Sequence, residues 1–188
     1  MTIIRPDYGL EVRYNGKAPL RCFSRERGGV SAHLYTARGG QLRLEVSFKT
    51  AGKRREYSLP TIVPGDSLSF RFLRRARSGG QSMTKLRLLA RKPVRWRRTP
   101  KFRFGLDLRL NTGETVRTCH PERGGFSFML SNIPLDYARA FVVAWNGKER
   151  WHWQLPDLHP NEELALHVVE TDWCDEPPMV NAVPGRSR

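Results

Sequence analysis

The chain has 188 residues, of which 39% are hydrophobic and 27% charged, and its formal net charge at pH 7 is +15. This composition is typical of a packed globular protein and excludes a disordered one, and the length suffices for one domain or two small ones. No apolar run approaches the roughly 20 residues that cross a bilayer, and the first residues lack a secretory signal. We therefore expect a cytoplasmic or virion-associated protein with no membrane partner.

The positive charge is concentrated in the middle of the chain. Between Ser67 and Leu106 there are thirteen Arg and Lys residues and no Asp or Glu. Twelve basic and six acidic residues precede this stretch, and eight basic and twelve acidic residues follow it. One block of cations thus dominates the net charge, which favours a localised anion-binding surface over a general solubility effect.

The chain matches itself when it is displaced by 96 residues. In this register Glu26-Arg27-Gly28-Gly29 aligns with Glu122-Arg123-Gly124-Gly125. Single residues keep the same register across the whole unit: Arg13 and Arg109, Asn15 and Asn111, Ser31 and Ser127, Leu34 and Leu130, Pro60 and Pro156, Pro64 and Pro160, Leu68 and Leu164. The agreement predicts an internal duplication. The repeated Gly-Gly pair predicts a backbone position with positive φ or with a close neighbour.

The first repeat, residues 1–73, contains two segments in which apolar and polar side chains alternate. They are Gln41 to Lys49 and Asp66 to Leu73. Alternation with a period of two is typical of a strand that is buried on one face. About six short strands separated by Asn-Gly, Gly-Gly and Pro-Gly turns are expected, which is the pattern of a small β-sandwich or β-barrel.

Residues 74–104 form a basic segment that links the repeats. The alternation of Asp66 to Leu73 resumes after a turn at residues 77–82, because Leu86 and Leu88 alternate with Lys85 and Arg87. The pattern predicts a hairpin with one apolar and one cationic face. After Pro93 the alternation continues into the second repeat, with Phe102, Phe104, Leu106, Leu108 and Leu110 inward and Lys101, Arg103 and Arg109 outward.

The second repeat, residues 105–170, contains two segments whose pattern alone permits a helix. They are Leu135 to Trp145 and Glu162 to Val169. Their counterparts in the first repeat alternate as strands do, so we predict strands here as well. The tail, residues 171–188, is acidic and then rich in proline, and its carboxylates are a possible internal partner for the basic segment. The predicted fold class is all-β: two tandem, internally duplicated small β-sandwich or β-barrel units, packed with pseudo-twofold symmetry and joined by a basic hairpin segment.

The basic segment supplies the candidate binding residues. A guanidinium group donates two parallel hydrogen bonds to a phosphate, and Trp96 among the cations suits either stacking on an unpaired base or anchoring the segment to the fold. The predicted nucleic-acid-binding residues are Arg71, Arg74, Arg75, Arg77, Lys85, Arg87, Arg91, Lys92, Arg95, Trp96, Arg97, Arg98, Lys101 and Arg103. Backbone contacts of this kind carry little sequence specificity, and DNA and RNA both remain open.

Residues that perform catalysis or bind metals form no recognisable motif. Cys22, Cys119 and Cys174 contain no CxxC pair, and none of the five histidines stands at a metal-ligand spacing with them. The sequence has no GxSxG, HExxH or Walker motif. We therefore expect reduced, partly buried thiols, and no catalytic residue, metal or cofactor.

Three functions remain open at this level. The leading hypothesis is a non-enzymatic nucleic-acid-binding, or polyanion-binding, protein. The alternative is a structural or inhibitory protein of a virus or mobile element whose basic face docks on an acidic protein partner, and the third is an enzyme with a cleft between the repeats. Trp145, Trp151 and Trp153 are compatible with core packing or with an exposed aromatic platform.

Overall fold

The computed structural model describes residues 6–37, 42–59, 62–75, 105–118, 124–146, 149–171 and 180–181. All regular structure in these residues is β-strand, so the all-β prediction is confirmed. The strands are β1 (Asp7–Tyr14), β2 (Leu20–Ser24), β3 (Val30–Thr36), β4 (Leu42–Thr50), β5 (Lys53–Ser58), β6 (Ser67–Arg75), β7 (Gly105–Leu110), β8 (Thr115–Thr118), β9 (Gly124–Ser131), β10 (Arg139–Asn146), β11 (Glu149–Gln154), β12 (Glu163–Thr171) and β13 (Val180–Asn181). Within the described ranges there is no helix long and apolar enough to cross a membrane.

The strands form two antiparallel sheets that pack face to face as a sandwich. Sheet A has the order β13-β8-β7-β12-β6-β1-β2, and sheet B has the order β11-β10-β9-β3-β4-β5. Each repeat contributes three neighbouring strands to each sheet, and β13 is added at one edge of sheet A. The repeats meet where β6 pairs with β12 and where β3 pairs with β9. The two repeats therefore form one sandwich, joined by backbone hydrogen bonds in both sheets, and not two self-contained units. As a result, neither β6 nor β3 is an edge strand.

The core lies between the sheets and is built from alternate residues of the strands. Leu68, Phe70 and Phe72 of β6 are buried, while Arg71 between them is exposed, as the alternation predicts. The rings of Phe70 and Phe128 lie 5.3 Å apart with a tilt of 38°, and they join the two sheets as well as the two repeats. Full burial of each such side chain stabilises the fold by about 1.5–3 kcal/mol relative to exposure.

The two segments with ambiguous patterns are strands, as predicted. β12 covers Glu163–Thr171, close to the predicted bounds, and β10 covers Arg139–Asn146, so it begins four residues later and ends one residue later than predicted. In β7, Leu108 and Leu110 are buried and Arg109 is exposed, in agreement with the predicted faces. The predicted return strand around Leu86 and residues 101–104 lie outside the described residues.

Backbone contacts recur at an interval of 96 residues. The bridge between Leu42 and Ile62 in the first repeat corresponds to the bridge between Ala138 and Leu158 in the second. Ser69 lies opposite Ala165 in the β6–β12 pairing, and His33 lies opposite Met129 in the β3–β9 pairing. Each of the two strand pairs that join the repeats thus contains a residue that lies directly opposite the residue 96 positions further along the chain.

Asn15 and Asn111, which match in the displaced sequences, perform the same task in both repeats. The side-chain oxygen of Asn15 accepts a hydrogen bond of 2.7 Å from the backbone N–H of Ser67, and that of Asn111 accepts one of 2.9 Å from Ala165. Asn15 has a φ of +47°, a conformation that asparagine tolerates better than most residues. Each side chain therefore ties the turn after β1 or β7 to the neighbouring strand, β6 or β12.

The repeated Gly-Gly pair meets both conditions that the sequence predicts for it. Gly28 has a φ of +62°, and Gly125 packs beneath the indole of Trp145, where an added Cβ would collide with the ring. A side chain at Gly125 would also meet Thr36. In the first repeat the pair thus combines a turn at Gly28 with a close contact at Gly29, where an added Cβ would collide with Ser24. Gly125 makes the matching close contact in the second repeat.

Candidate polyanion-binding surface

Three of the fourteen predicted nucleic-acid-binding residues belong to the described part of the chain. Arg71, Arg74 and Arg75 lie near the C-terminal end of β6. The other predicted residues lie outside it, namely Arg77, Lys85, Arg87, Arg91, Lys92, Arg95, Trp96, Arg97, Arg98, Lys101 and Arg103.

Arg71 belongs to a row of alternating charges on the outer face of sheet A. It lies opposite Glu163 of β12 and opposite Glu11 of β1, and Glu11 lies opposite Arg21 of β2. Nη2 of Arg71 donates to Oε2 of Glu163 at 3.0 Å, and Nε of Arg21 donates to Glu11. The charge of Arg71 is therefore partly neutralised by the chain itself, in an exposed pair that contributes at most about 1 kcal/mol to stability.

Arg75 is held by a buried carboxylate, that of Asp7. Nη2 of Arg75 lies 3.2 Å from Oδ2 of Asp7, and Nε of Arg25 lies 2.7 Å from Oδ1. Burial raises the pKa of Asp7, but the hydrogen bonds from Arg25 and Arg75 outweigh it and hold this pKa below its ordinary value. The guanidinium of Arg75 also lies 4.1 Å from the centre of the Phe23 ring, at a distance suited to a cation–π interaction. Arg75 thus has a structural role as well as a charge.

The second repeat contains a corresponding group of ion pairs. Asp107 is almost fully buried, and Nε of Arg117 donates to its Oδ1 at 2.8 Å, while Nη2 of Arg109 lies 3.5 Å from its Oδ2. In the displaced sequences these residues correspond to Glu11, Arg21 and Arg13. Carboxylates of the chain therefore compensate arginines of sheet A in both repeats.

Arg74 differs from Arg71 and Arg75. Its side chain is exposed, and it forms no ion pair with any residue that the structure describes. Arg74 lies opposite Tyr8 in β1, and Tyr8 lies opposite Ser24 in β2. Of the three predicted residues on β6, Arg74 is the one that pairs with no described carboxylate.

A further group of cations lies on the β4–β5 hairpin, and sequence reasoning did not single it out. This hairpin cluster consists of Lys49, Lys53, Arg54 and Arg55, of which the last three are exposed. None of the four pairs with a described carboxylate, although Nη2 of Arg54 donates to Oγ of Ser31 at 3.4 Å. In the sequence, the run Lys-Arg-Arg after a turn indicates this cluster. The larger basic block between Ser67 and Leu106 drew attention away from it.

The hairpin cluster and Arg74 lie at the same end of the sandwich. The loop that follows Ser24 holds the hairpin, because the N–H of Gly52 donates to Oε1 of Glu26 at 3.0 Å and the N–H of Lys49 donates to the carbonyl of Gly29 at 2.7 Å. Ser24 is in register with Arg74 across β1. The basic segment, residues 74–104, therefore begins at the end of the sandwich that carries these cations.

No protein-family model, curated protein or solved structure matches this chain. The function is accordingly inferred from geometry and charge.

The tryptophans of the second repeat lie on two different faces of sheet B. Trp153 is opposite the buried Val142 and packs against the core, which confirms the core-packing interpretation for this residue. Trp145 belongs to the outer face, where it covers Gly125. The side chain of Trp151 lies outside the described residues.

Two exposed apolar side chains face each other on the outer side of sheet B. Met129 of β9 and Phe141 of β10 are direct cross-strand partners and are 44% and 37% exposed. On β3, Nε2 of His33 lies 2.7 Å from Oγ of Ser127, and burial lowers the pKa of His33 although the charge of Glu45 opposes this. The side chains of Met129 and Phe141 carry no hydrogen-bond donor for a phosphate.

The described residues contain no group of three or more His, Cys, Asp or Glu side chains that could hold a metal ion. Cys22 is a free, buried thiol whose pKa is raised by burial to about 12. It is therefore inert as a nucleophile at neutral pH. Cys119 and Cys174 lie outside the described residues.

Proposed function

We propose that this chain is a non-enzymatic protein that binds the phosphate backbone of nucleic acid on an arginine-rich surface. The distribution of charge is the observation that carries the proposal. Thirteen cations and no carboxylate lie between Ser67 and Leu106, and the described Asp and Glu residues form ion pairs with Arg71 and Arg75 but not with Arg74. Concentrated like charges repel one another, so an anion that neutralises them, such as the phosphate backbone of nucleic acid, is a favourable partner.

The proposed mode of binding relies on phosphate contacts. Guanidinium groups donate two parallel hydrogen bonds to a phosphate and displace condensed counterions, so binding is favourable for any base sequence. Arg77 to Arg103 would supply most of these contacts, and Trp96 would either stack on an unpaired base or anchor the segment. A cytoplasmic or virion-associated location belongs to the same proposal.

We infer that the two repeats arose by duplication of one unit and are related by an approximate twofold axis. This axis would pass near the Ser69–Ala165 and His33–Met129 pairs. The inference is supported by residues that lie opposite their own equivalents and by the recurrence of the Leu42–Ile62 bridge at Ala138–Leu158. Under this view the repeats later diverged in charge, and the first repeat together with the linking segment became the anion-binding part.

The experiment is a titration of fluorescently labelled 20-nucleotide single- and double-stranded DNA and RNA, followed by anisotropy at several salt concentrations. We expect affinity to fall steeply with salt, with a logarithmic slope of about −0.7 to −0.9 for each phosphate contacted. Replacing Arg95, Arg97 and Arg98 by Gln is expected to reduce the magnitude of that slope by about 2 to 3. Absence of binding at low salt, or affinity that does not change with salt, would contradict the proposal.

A second candidate function is docking of the basic face on an acidic protein, as in a structural or inhibitory protein of a virus or mobile element. The exposed pair of Met129 and Phe141 favours it, because apolar side chains contribute to protein interfaces and not to phosphate binding. Polyglutamate of matched charge distinguishes the two functions when it competes with the labelled oligonucleotide. Displacement at equal charge concentration favours the protein partner, whereas resistance to displacement favours nucleic acid.

A further inference from the structure

We propose that the hairpin cluster, Lys49, Lys53, Arg54 and Arg55, is a second docking point for the phosphate backbone of nucleic acid, at the end of the sandwich where the basic segment begins. This inference rests on the proposed function and extends it to residues outside the central block of charge. The inference rests on side chains whose positions the structure describes, and it does not depend on the positions of residues 76–104.

The hairpin cluster is a surface of uncompensated charge. Arginines of sheet A lie beside a carboxylate, as Arg71 does beside Glu163 and Arg117 beside Asp107. No described carboxylate forms an ion pair with a member of the hairpin cluster. Four cations within seven residues therefore lack an ion-pair partner among the described side chains and can attract an external anion.

The register of the hairpin places its cations on both faces of the strand pair. Lys49 lies opposite Arg54, and Arg55 lies opposite Phe48, so Lys49 and Arg54 share the outer face while Arg55 is on the other. Among the described strands β5 is an edge of sheet B, and Lys53, Arg54 and Arg55 on it are exposed, so a polyanion that passes along this edge can contact them. Arg54 is already oriented by its hydrogen bond to Ser31.

Protection of an edge strand against aggregation is the competing explanation for these charges. The opposite edge of sheet B is β11, whose residues Glu149, Arg150 and Trp151 correspond to Lys53, Arg54 and Arg55 at the interval of 96. That edge has no such excess of cations, although it needs the same protection. The cations of the hairpin cluster are therefore specific to the first repeat and point to a function of that repeat.

Continuity with Arg74 identifies the class of ligand. Arg74, Tyr8 and Ser24 are in register, and the loop after Ser24 binds the tip of the hairpin through Glu26 and Gly52. The strands β6 and β2 are separated by two strand spacings, which is roughly 10 Å, and the distance from sheet A to sheet B is roughly another 10 Å. A single extended polyanion can therefore contact Arg74 and the hairpin cluster together, whereas an isolated phosphate ion cannot.

The test compares two triple variants that lower the net charge equally. The hairpin variant removes the exposed part of the hairpin cluster and combines Lys53→Gln, Arg54→Gln and Arg55→Gln. The matched control removes three exposed cations at the opposite end of the sandwich and combines Lys17→Gln, Arg43→Gln and Arg150→Gln. Circular dichroism and thermal unfolding establish that both variants fold.

For the hairpin variant we expect at least about tenfold weaker binding of the labelled 20-nucleotide strands at 0.1 M salt, and a salt slope lower in magnitude by about 2 to 3. The control is expected to stay within about twofold of the wild-type affinity. Equal effects of the two variants would overturn the docking point while leaving the proposed function intact. Failure of the wild-type chain to bind any nucleic acid at low salt would overturn both, and tighter binding of polyglutamate than of nucleic acid would overturn the phosphate assignment.

Discussion

Ser69 of β6 lies directly opposite Ala165 of β12, and 96 positions in the sequence separate the two residues. The sequence matches itself when it is shifted by 96 residues. Two residues that are 96 positions apart also lie opposite each other where the first repeat meets the second. The residue matches at a displacement of 96 and the pairing of strands in sheet A therefore share one interval.

The register at this boundary can be tested with a cysteine pair. In a background of Cys119→Ser and Cys174→Ser, we expect Ser69→Cys combined with Ala165→Cys to form an intramolecular disulfide on mild oxidation, since directly opposed Cβ atoms lie about 4.5–5.5 Å apart. The off-register combination of Ser69→Cys with His167→Cys is expected to cross-link more slowly. Mass spectrometry of the oxidised monomers measures both, and equal rates would contradict the register.

The shared core predicts energetic coupling between the repeats. Phe70→Ala and Phe128→Ala are each expected to lower the free energy of unfolding by about 3–5 kcal/mol, because both rings are fully buried. The double variant is expected to cost less than the sum, with a coupling of about 0.5–1.5 kcal/mol from the ring contact.

Denaturant titration measures this coupling, and Phe141→Ala on the exposed face is the control, with a cost of about 1 kcal/mol or less. If the alanine variants do not fold, Phe70→Leu and Phe128→Leu provide the same cycle with smaller effects. Strict additivity would contradict energetic coupling between the two rings.

The Asp7 carboxylate is expected to make stability depend on pH in the acidic range. Its pKa in the folded state is lowered, so its contribution is fully present above the unfolded pKa near 4 and is lost as pH falls through the folded value. Asp7→Asn should therefore destabilise the protein by about 1–3 kcal/mol at pH 7, because two charge-assisted hydrogen bonds are lost. The difference between wild type and variant should shrink below about pH 4.

Thermal or urea unfolding between pH 2.5 and 7 measures this dependence. Asp136→Asn is the control, because Asp136 is exposed and forms no ion pair within the described ranges. A destabilisation by Asp7→Asn that is the same at pH 3 and pH 7 would show that the carboxylate is not held by Arg25 and Arg75.

Release of Arg71 from its carboxylate should strengthen the binding of nucleic acid. Glu163→Gln removes the charge that lies 3.0 Å from Nη2 of Arg71, and a free guanidinium is available to one more phosphate. We expect higher affinity and a salt slope steeper by up to about 1, with a stability cost of about 1 kcal/mol or less. Glu114→Gln removes the same charge from the turn between β7 and β8, so an equal gain in both variants would indicate a general effect of net charge.

The thiol of Cys22 should be unreactive in the folded protein. It is buried, and burial raises its pKa to about 12, so the thiolate is scarce at pH 8. In the background of Cys119→Ser and Cys174→Ser, we expect no reaction with a disulfide reagent in native buffer and complete reaction in denaturant. Rapid modification under native conditions would show that the β1–β2 region opens readily.

Much of the local structure could be predicted from the sequence. Alternation of apolar residues in β4 and β6 identified strands, and the matching register extended that assignment to β10 and β12, where the local pattern alone also permitted a helix. Local alternation suffices for this because the side chains of a strand point alternately to its two faces. The central block of cations was equally visible, since counting charges requires no coordinates.

Only the tertiary structure decided which of those charges are available. The pairing of β6 with β12 places Glu163 against Arg71, and the packing of Asp7 places it between Arg25 and Arg75. The two members of such an ion pair can be up to about ninety residues apart in the sequence. They meet because strands pair edge to edge and because the side chains of the common core fit together, and no local sequence pattern encodes either. The sequence by itself therefore determined that strands and cations exist, whereas the three-dimensional pairing determined that Arg74 and the hairpin cluster form no ion pair with a described carboxylate at one end of the sandwich.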